Sequence, residues 1–177
     1  MAVIQNVKGD LTKPLEYLSE EHLQHNIVLA HQTNALGIMG GGVALSIRKQ
    51  FPDVYEKYVE YCKTIVNKET NNQKFGRVLG SAQILVTDSN PNLYIANLFG
   101  QLDIGTHKRQ TNYEWLYQAL TELFFMLQGK ENFVIAFPYK LGCGLGGGNW
   151  EVVEAMLKAL HFQYTPETPM YIVEFSG

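Results

Sequence analysis

Short apolar segments alternate along the chain with segments in which apolar residues recur at helical spacing. Unbroken apolar runs such as residues 27–30 and 133–137 are typical of β-strands that helices cover on both faces. Six apolar segments predict strands, at residues 2–7, 26–31, 81–87, 93–99, 133–137 and 170–175. The pattern therefore predicts a sheet whose strands are mostly separated by helices.

Apolar residues spaced three and four apart predict the helices. The first clear helical face consists of Val43, Ala44, Ile47 and Phe51, and Pro52 ends this helix and opens the next. The apolar positions of that next helix are Tyr55, Tyr58, Val59, Cys62 and Val66. Further helices are predicted at residues 14–23, 112–128 and 149–160.

The alternation of strands and helices predicts a single domain, residues 1–177, of the α/β class. We expect a three-layer α/β/α arrangement around a mixed, mostly parallel sheet of about six strands. Ser89-Asn90-Pro91-Asn92 is a turn signal between the third and fourth strands, and it predicts a hairpin there. This hairpin is the reason to expect one antiparallel pair in the sheet.

Composition and charge narrow the class of protein further. The 177 residues are 46% hydrophobic and 12% aromatic, which excludes a disordered chain. A net charge of −3 provides no basic field for duplex nucleic acid, although the Lys108-Arg109 pair is compatible with a small anion. No apolar run is long enough to span a membrane and no signal-peptide pattern is present. We therefore expect a cytoplasmic protein without a membrane partner.

The two cysteines, Cys62 and Cys143, are too few and too far apart in sequence for a disulfide framework or a zinc site. We expect two reduced thiols instead. Because no other cluster of metal-ligating residue types stands out, we predict neither a metal nor another cofactor.

Nine of the 16 glycines lie in two windows, each between a predicted strand and a predicted helix. They are Gly37, Gly40, Gly41 and Gly42 in the first window, and Gly142, Gly144, Gly146, Gly147 and Gly148 in the second. Ligands of open α/β sheets bind beyond the carboxyl ends of the strands, where helix N-termini present unpaired N–H groups to anions. The windows therefore predict two loops that grip a diphosphate. The alternative is that the glycines only permit tight turns.

Two common nucleotide-binding motifs do not account for these glycines. Residues 142–147 match the Gly-x-Gly-x-x-Gly dinucleotide pattern, but they precede the last helix instead of following the first strand. The sequence Gly-x-x-x-x-Gly-Lys-Ser/Thr is absent. The sequence therefore argues against a Rossmann dehydrogenase and excludes a P-loop NTPase.

Four motifs resemble those of the macrodomain, the ADP-ribose-binding fold, and they occur in the order of that family. They are Gly9-Asp10-Leu11 after the first strand, His31-Gln32-Thr33-Asn34 followed by Gly40-Gly41-Gly42, Asn97-Leu98-Phe99-Gly100-Gln101, and residues 138–150. The last two are similar to a branch of small stand-alone, often phage-type, proteins that process ADP-ribose 1″-phosphate. The resemblance covers essentially the whole chain and implies ADP-ribose or ADP-ribose 1″-phosphate as the ligand.

The resemblance also implies which residues bind this ligand. Asp10 would accept a hydrogen bond from the adenine amino group, beside the Leu11 N–H, whereas read alone it is a helix cap. Asn34 would bind the distal ribose hydroxyls, whereas read alone it is a turn residue. The windows would contact the distal ribose and the diphosphate through Gly40, Gly41, Gly42 and Val43 and through Gly142, Cys143, Gly144, Leu145, Gly146 and Gly147. The N–H groups of residues 144–146 would cradle the diphosphate.

The catalytic residues that the resemblance implies are His31, Asn34 and Asp103. His31 would act as a general acid or base at the end of its strand, or else order the loop by hydrogen bonds. Asp103 would orient His31 or a water molecule, or else be a solvated loop residue. The adjacent residues 107–109, His-Lys-Arg, would reach an anion or form an exposed charged loop.

The chain departs from a related branch that hydrolyses ADP-ribosyl–glutamate or ADP-ribosyl–nucleotide bonds. Gly146 stands where a subgroup of that branch has an aspartate, Asn149 stands where an acid often precedes the tryptophan, and Lys108 is not in register with the branch's lysine. The second window also lacks an aromatic ring over the distal ribose. We therefore predict hydrolysis of ADP-ribose 1″-phosphate to ADP-ribose and phosphate. The alternatives are a non-catalytic ADP-ribose reader and a hydrolase acting on ADP-ribosylated protein or nucleic acid.

Overall fold

The computed structural model describes residues 4–68 and 78–176 of the chain. Within them, six strands run at β1 Ile4–Lys8, β2 Asn26–Asn34, β3 Ala82–Val86, β4 Leu93–Gln101, β5 Phe133–Pro138 and β6 Met170–Glu174. Four α-helices run at α1 Gly42–Gln50, α2 Pro52–Lys68, α3 Tyr113–Leu127 and α4 Trp150–Tyr164. Two predicted strand residues, Ala2 and Val3, and the side chain of Val66 lie outside the described part.

The strands form one sheet in the order β1-β6-β5-β2-β4-β3. Neighbouring strands are parallel except for β3 and β4, which are antiparallel. Thr87 closes the connection between these two strands, because its N–H donates to Leu93 at 2.9 Å and its hydroxyl donates to the carbonyl of Asn90 at 2.9 Å. The mixed, mostly parallel sheet and the hairpin are therefore confirmed.

Helices cover both faces of the sheet, because successive side chains of a strand point to opposite faces. Ile27 and Leu29 of β2 pack in one core with Tyr58 of α2. Val28, between them, packs in a second core with Leu120 of α3. This is the predicted three-layer α/β/α arrangement, and it leaves the carboxyl edge of the parallel strands open to a ligand.

Strands β2 and β4 extend further toward their carboxyl ends than their apolar patterns predict. Gln32, Thr33 and Asn34 continue β2 because they pair with β4 as far as Gln101, with a register irregularity before Asn34. A pattern based on apolar residues misses them, since their side chains are polar and form hydrogen bonds within the fold. The prediction that His31 ends the strand is therefore wrong: it lies inside the sheet, followed by three more strand residues.

The predicted helix at residues 14–23 is also wrong. This segment forms two short 3-10 turns, Pro14–Glu16 and His22–Gln24. Tyr17 and Leu18, between the turns, are buried, and the Tyr17 hydroxyl donates to the carbonyl of Leu11 at 2.7 Å. Tertiary contacts thus override the helical periodicity of the segment.

Asparagine caps fix the starts of α3 and α4 close to their predicted positions. The side-chain oxygen of Asn112 accepts from the N–H of Trp115 at 3.0 Å, and that of Asn149 accepts from the N–H of Glu151 at 2.9 Å. Such caps satisfy backbone donors that the first turn of a helix leaves unpaired. Asn149 therefore has a structural reason to occupy the position directly before Trp150.

Neither cysteine forms a disulfide in the structure, and burial raises the pKa of Cys62 and of Cys143 to about 11. Both thiols are consequently protonated at neutral pH. No helix within residues 4–68 and 78–176 is long and apolar enough to cross a membrane. In the same part of the chain, no three histidine, cysteine, aspartate or glutamate side chains come together in a way that could hold a metal ion.

Candidate functional site

The carboxyl ends of β2, β4 and β5 open onto a cavity of about 510 Å³. One wall consists of residues 31–34 of β2, a second of residues 41–44, and a third of residues 138–142 and 144–146. We call residues 35–41 the first glycine loop and residues 139–149 the second glycine loop. The two loops follow strands that are separated by 98 residues in sequence, and they face one common cavity.

The second glycine loop presents free backbone donors to this cavity. The N–H groups of Gly144, Leu145 and Gly146 have no acceptor among the described residues, and all three residues line the cavity. The N–H groups on either side donate to carbonyl oxygens of the loop itself, at 2.8 Å for Cys143 and at 3.1 Å for Gly147. Successive unpaired N–H groups form a concavity that binds anions.

The glycines of the second loop are there for different physical reasons. A Cβ at Gly146 would collide with Oγ1 of Thr111 and lie 2.8 Å from the carbonyl oxygen of Gly142. Gly142 and Gly147 adopt positive φ angles of 70° and 74°, which disfavour any side chain. Gly144 has neither restriction, because its φ is not positive and a Cβ there would meet nothing within 4 Å. Its missing side chain instead leaves the neighbouring N–H groups accessible to a ligand.

The side chain of Asn34 fixes the shape of the first glycine loop. Its Oδ1 accepts from the N–H of Leu36 at 3.0 Å and of Ile38 at 3.3 Å, and its Nδ2 donates to the carbonyl of Ile38 at 2.7 Å. The Tyr58 hydroxyl also lies within hydrogen-bond distance of the same Oδ1, at 2.9 Å. These bonds agree with the interpretation of Asn34 as a turn residue, and they leave one amide N–H for a ligand.

Tyr58 anchors this loop from α2. It is fully buried, its hydroxyl donates to the carbonyl of Asn34 at 2.7 Å, and its ring stacks on Phe99 with the centroids 6.0 Å apart. Burial raises the pKa of the Tyr58 hydroxyl far above its ordinary value, so that the group remains a donor at every physiological pH.

The N-terminus of α1 faces the same cavity. The helix has nine residues, and no side chain caps its first turn. The first helical hydrogen bond joins the N–H of Leu45 to Gly41, which leaves the N–H groups of Gly42, Val43 and Ala44 without acceptors in the described chain. Unpaired donors and the helix dipole both favour an anion at this end. The cavity therefore receives donors from two sides, as the two phosphates of a diphosphate require.

His31 lies in the wall of the cavity and is only 1% exposed. Its Nε2 lies 2.6 Å from Oδ1 of Asn97 on β4, and its Nδ1 has no hydrogen-bond partner among the described residues. Burial lowers the pKa of His31 to about 4, although the bond to Asn97 opposes this effect. The imidazole is thus neutral at pH 7 and can accept a proton, whereas the imidazolium that a general acid needs is scarcely populated.

A smaller cavity of about 240 Å³ adjoins the first one. The residues that line both cavities are Gly42, Val43, Pro138 and Tyr139. Asp10 and Leu11, after β1, line the smaller cavity together with Phe175, after β6, whose side chain is 69% exposed. A carboxylate and an aromatic face beside an apolar cavity suit a flat heterocycle that carries an amino group. The two cavities together form one continuous groove.

Asp10 forms a turn of its own and is not a helix cap. Its Oδ1 accepts from the N–H of Thr12 at 2.9 Å and from the Thr12 hydroxyl at 2.7 Å. The following 3-10 turn is preceded by Lys13, which provides no side-chain cap. The other carboxylate oxygen of Asp10 has no hydrogen bond within the described residues and is available to a ligand in the smaller cavity.

A family model described as Macro domain matches residues 30–157, which include both glycine loops and the walls of the larger cavity. This chain belongs to the Macro domain family. The resemblance seen in the four sequence motifs is thereby confirmed.

Relatives of this macrodomain carry two kinds of name. The chain is 29% identical over 180 residues to the ADP-ribose 1″-phosphate phosphatase of Meyerozyma guilliermondii, covering 89% of this chain and 94% of that protein. It is 31% identical over 133 residues to the DNA ADP-ribosyl glycohydrolase of Thermus aquaticus, covering 75% of this chain and 33% of that protein. Among solved structures, the macrodomain of Mycobacterium tuberculosis DarG is similar with a TM-score of 0.74 at 21% identity, covering 100% of both chains. This last likeness confirms the macrodomain fold.

Some residues predicted for the macrodomain site do not line the groove. They are Gly40, Cys143, Gly147 and Asp103. The Cys143 thiol donates to the carbonyl of Leu141 at 3.2 Å, and Cys143 packs against the core under α3 and α4. Asp103 is exposed, and its carboxylate accepts from the N–H of Ile104 at 2.7 Å. The structure therefore gives no support to the prediction that Asp103 orients His31.

The basic segment His107-Lys108-Arg109 is an exposed loop outside the groove. The guanidinium of Arg109 lies over the ring of Tyr113, 4.4 Å from its centroid. This arrangement agrees with the interpretation of the segment as an exposed charged loop.

Sequence reasoning does not select Tyr139, Lys140 or Phe175, which line the groove. The Tyr139 ring packs edge-on against Trp150 with the centroids 5.3 Å apart, and Nζ of Lys140 lies 5.6 Å from the centre of the Tyr139 ring. A usable signal exists for Tyr139 and Lys140, because they directly follow a strand at the ligand edge. Phe175 has no local signal, since only the pairing of β1 with β6 brings it beside Asp10.

Proposed function

We propose that this macrodomain binds ADP-ribose 1″-phosphate along the groove and hydrolyses it to ADP-ribose and phosphate. The observation that carries the proposal is the pair of donor sets that face one cavity: the free N–H groups of residues 144–146 and the uncapped N-terminus of α1. The overall identity of 29% to the phosphatase of Meyerozyma guilliermondii supports the same reaction.

In this proposal the adenosine occupies the smaller cavity. The free carboxylate oxygen of Asp10 accepts from the adenine amino group, and the exposed ring of Phe175 packs against the base. The diphosphate lies between α1 and the second glycine loop, where the N–H donors point from both sides. The distal ribose then extends into the larger cavity, toward residues 31–34 of β2.

Hydrolysis requires a water molecule to attack the terminal phosphate. The water oxygen forms a bond to phosphorus, the bond between phosphorus and the oxygen on C1″ breaks, and the proton released by the water ends on that sugar oxygen. The unpaired Nδ1 of neutral His31 takes this proton and returns it to the leaving oxygen. Lys140, in the wall of the same cavity, adds positive charge against the developing negative charge.

The decisive experiment measures phosphate released from ADP-ribose 1″-phosphate by the wild-type chain and by His31→Gln. Loss of the proton acceptor should lower kcat by about 100-fold or more, while calorimetry shows ADP-ribose still bound. His25→Gln, just before the opposite end of β2, is the matched control and should retain the wild-type rate. Failure of the wild type to release phosphate would refute the reaction, and an active His31→Gln would refute the role of His31.

A second candidate function is removal of ADP-ribose from nucleic acid or protein. The 31% identity to the DNA ADP-ribosyl glycohydrolase of Thermus aquaticus favours it. Incubation with ADP-ribosylated DNA and with ADP-ribosylated protein tests this alternative by the ADP-ribose that is released. Release from either substrate, without phosphate release from ADP-ribose 1″-phosphate, would replace our proposal. Tight binding of ADP-ribose without turnover of any substrate would identify a reader.

We also expect the protein to act in the cytoplasm. Both of its cysteines are free thiols, the state that a reducing compartment maintains. Localisation of the full chain by fractionation or microscopy tests this expectation directly.

A further inference from the structure

A row of polar side chains crosses the sheet beside the site. Gln83 on β3 lies opposite Asn97 on β4, and Asn97 lies opposite His31 on β2. Its neighbours toward the amino ends of β2 and β4 are apolar: Leu29 and Ile95 lie in the core under α1 and α2. The row is therefore a polar strip that borders this apolar core.

The hydrogen bonds of this row run in one direction. Nδ2 of Asn97 donates to Oε1 of Gln83 at 3.1 Å, which turns Oδ1 of Asn97 toward His31. Because that oxygen can only accept, Nε2 of His31, 2.6 Å away, carries the imidazole proton. Nδ1 of His31 is left with its lone pair and no partner among the described residues.

Stability alone does not account for this polar strip. Asn97 is completely buried and His31 nearly so. Replacing both members of a buried hydrogen-bonded pair by apolar groups of the same shape is often nearly neutral. Asn97 also does not line either cavity of the groove, so it does not bind a ligand directly. What the strip does provide is one fixed tautomer and one fixed orientation of the imidazole.

We propose that Asn97 is a positioning residue that holds His31 in the Nε2–H form, so that Nδ1 is the hydrogen-bond acceptor of the site, and that Gln83 orients the Asn97 amide. This inference rests on the proposed phosphatase function for the identity of the donor, the attacking water. In the other tautomer, His31 would present an N–H to the site and could not take a proton from that water.

The first test replaces the acceptor by an apolar side chain of similar size, in Asn97→Leu. Nitrogen NMR of 15N-histidine-labelled protein reports the tautomer, with the His31 signals identified by their loss in His31→Gln. The wild type should show Nε2–H, and Asn97→Leu should show Nδ1–H or a mixture. The kcat for phosphate release should fall about 10- to 100-fold, as part of the general-base contribution, while the Kd for ADP-ribose changes less than about threefold.

A matched control removes a different buried hydrogen bond of the sheet. Thr87→Val deletes a buried hydroxyl that bonds to Asn90 near the amino end of β4, away from the groove. It should keep the wild-type tautomer of His31, the wild-type kcat and the wild-type Kd.

The second test, Asn97→Asp, keeps an acceptor oxygen opposite His31 but makes it anionic. A carboxylate beside the imidazole favours its protonated form, so the titration of His31 and the acid limb of the pH–rate profile should move to higher pH. The neutral form should keep its Nε2–H tautomer. Half-buried Gln83 can turn its amide to donate to the new carboxylate. An unmoved titration would show that the side chain at position 97 does not contact the His31 imidazole in solution.

An unchanged tautomer in Asn97→Leu, or an unmoved His31 titration in Asn97→Asp, overturns the proposal. If Asn97→Leu does not fold, the Asp variant decides alone. If the wild-type chain releases no phosphate, the proposed reaction fails, whereas the NMR comparison still decides whether Asn97 sets the tautomer of His31.

Discussion

The two glycine loops face the same cavity, but they are held in place by different means. The first loop is fixed by side chains, because Asn34 bonds to its backbone and Tyr58 anchors Asn34 from α2. The second is fixed mainly by backbone hydrogen bonds, by the Thr111 hydroxyl, which donates to the carbonyl of Gly142 at 2.6 Å, and by the close packing of Gly146 on Thr111. Substitutions should therefore damage the first loop at its anchors and the second loop at its glycines. A high glycine content alone does not show which of these two ways of fixing a loop applies.

The largest effect is expected for Gly146→Asp, which introduces the acidic residue of the related branch. The new side chain meets Thr111 and the carbonyl of Gly142, and its charge is introduced at a buried position. We expect the free energy of unfolding to fall by more than about 3 kcal/mol, and ADP-ribose binding to be lost as the N–H groups of residues 144–146 are displaced. Urea unfolding and calorimetry measure the two effects.

Gly144→Ala is the matched control for that experiment. A methyl group at Gly144 meets open space, so stability should stay within about 0.5 kcal/mol of the wild type. If both variants were equally stable, packing at Gly146 would not be what fixes the second loop.

The next prediction concerns the pH dependence of stability. This dependence should come from His31 in β2, the strand that leads into the first glycine loop, and not from the second glycine loop. His31 has a pKa of about 4 in the folded chain and about 6.5 when unfolded, so its neutral burial stabilises the fold above pH 6.5. This stabilisation, about 3 kcal/mol, is lost as the pH falls from 6.5 through 4, because the unfolded chain then binds the proton more tightly. Urea unfolding between pH 4 and 7 should show a shallower dependence in His31→Gln, and parallel curves would contradict this explanation.

A smaller effect is expected for Tyr58→Phe, which removes the anchor of the first loop and keeps its ring. The carbonyl of Asn34 loses its buried donor, so the free energy of unfolding should fall by about 1 to 2 kcal/mol. ADP-ribose affinity should weaken as the loop loosens. Tyr55→Phe, on the same helix beneath Arg48, removes no such bond and should leave both quantities unchanged. Equal behaviour of the two variants would show that the hydroxyl does not anchor the loop.

The smallest effect is expected at the point where the two loops touch. Leu145 is 60% exposed, and its side chain approaches Gly41 so closely that a Cβ there would lie 2.8 Å from it. Leu145→Ala opens this contact but keeps the backbone donors, so stability should change by less than about 0.5 kcal/mol. Stopped-flow measurement should show ADP-ribose dissociating a few times faster. A complete loss of binding would mean that the side chain of Leu145, and not the loop backbone, holds the ligand.

Much of the fold could be predicted because it follows from local patterns of apolar and turn-forming residues. Buried parallel strands give continuous apolar runs, and the turn sequence at residues 89–92 indicates the hairpin of β3 and β4. The polar end of β2 was not predicted because its strand pairing depends on residues distant in sequence, such as Gln101, which accepts from the side-chain amide of Gln32 at 2.7 Å. The segment at residues 14–23 failed for the same reason, since the burial of Tyr17 decides its conformation.

The site likewise contains parts that the sequence predicts and parts that it does not. Both glycine windows could be located because they follow strands at the ligand edge, and this rule does not depend on side-chain contacts. The same rule does not distinguish the roles of individual glycines. Gly144 leaves backbone N–H groups accessible from the cavity, whereas Gly147 adopts a positive φ angle. The sequence could not identify Asn97 as the partner of His31, because only the register of β2 against β4 places the two side chains opposite each other. Phe175 depends likewise on which strands are neighbours.

The position of β6 between β1 and β5 has a consequence for the order in which the protein is built. Gln5 and Tyr171, paired across β1 and β6, are 166 residues apart in sequence. Closing so long a loop is entropically unfavourable and slow, so β1 gains β6, its neighbour among the described strands, only after residues 170–174 have been synthesised. Asp10 and Phe175, which flank the smaller cavity, each follow one of these two strands. A nascent chain can thus assemble its glycine loops early, but the smaller cavity forms only when β6 takes its place.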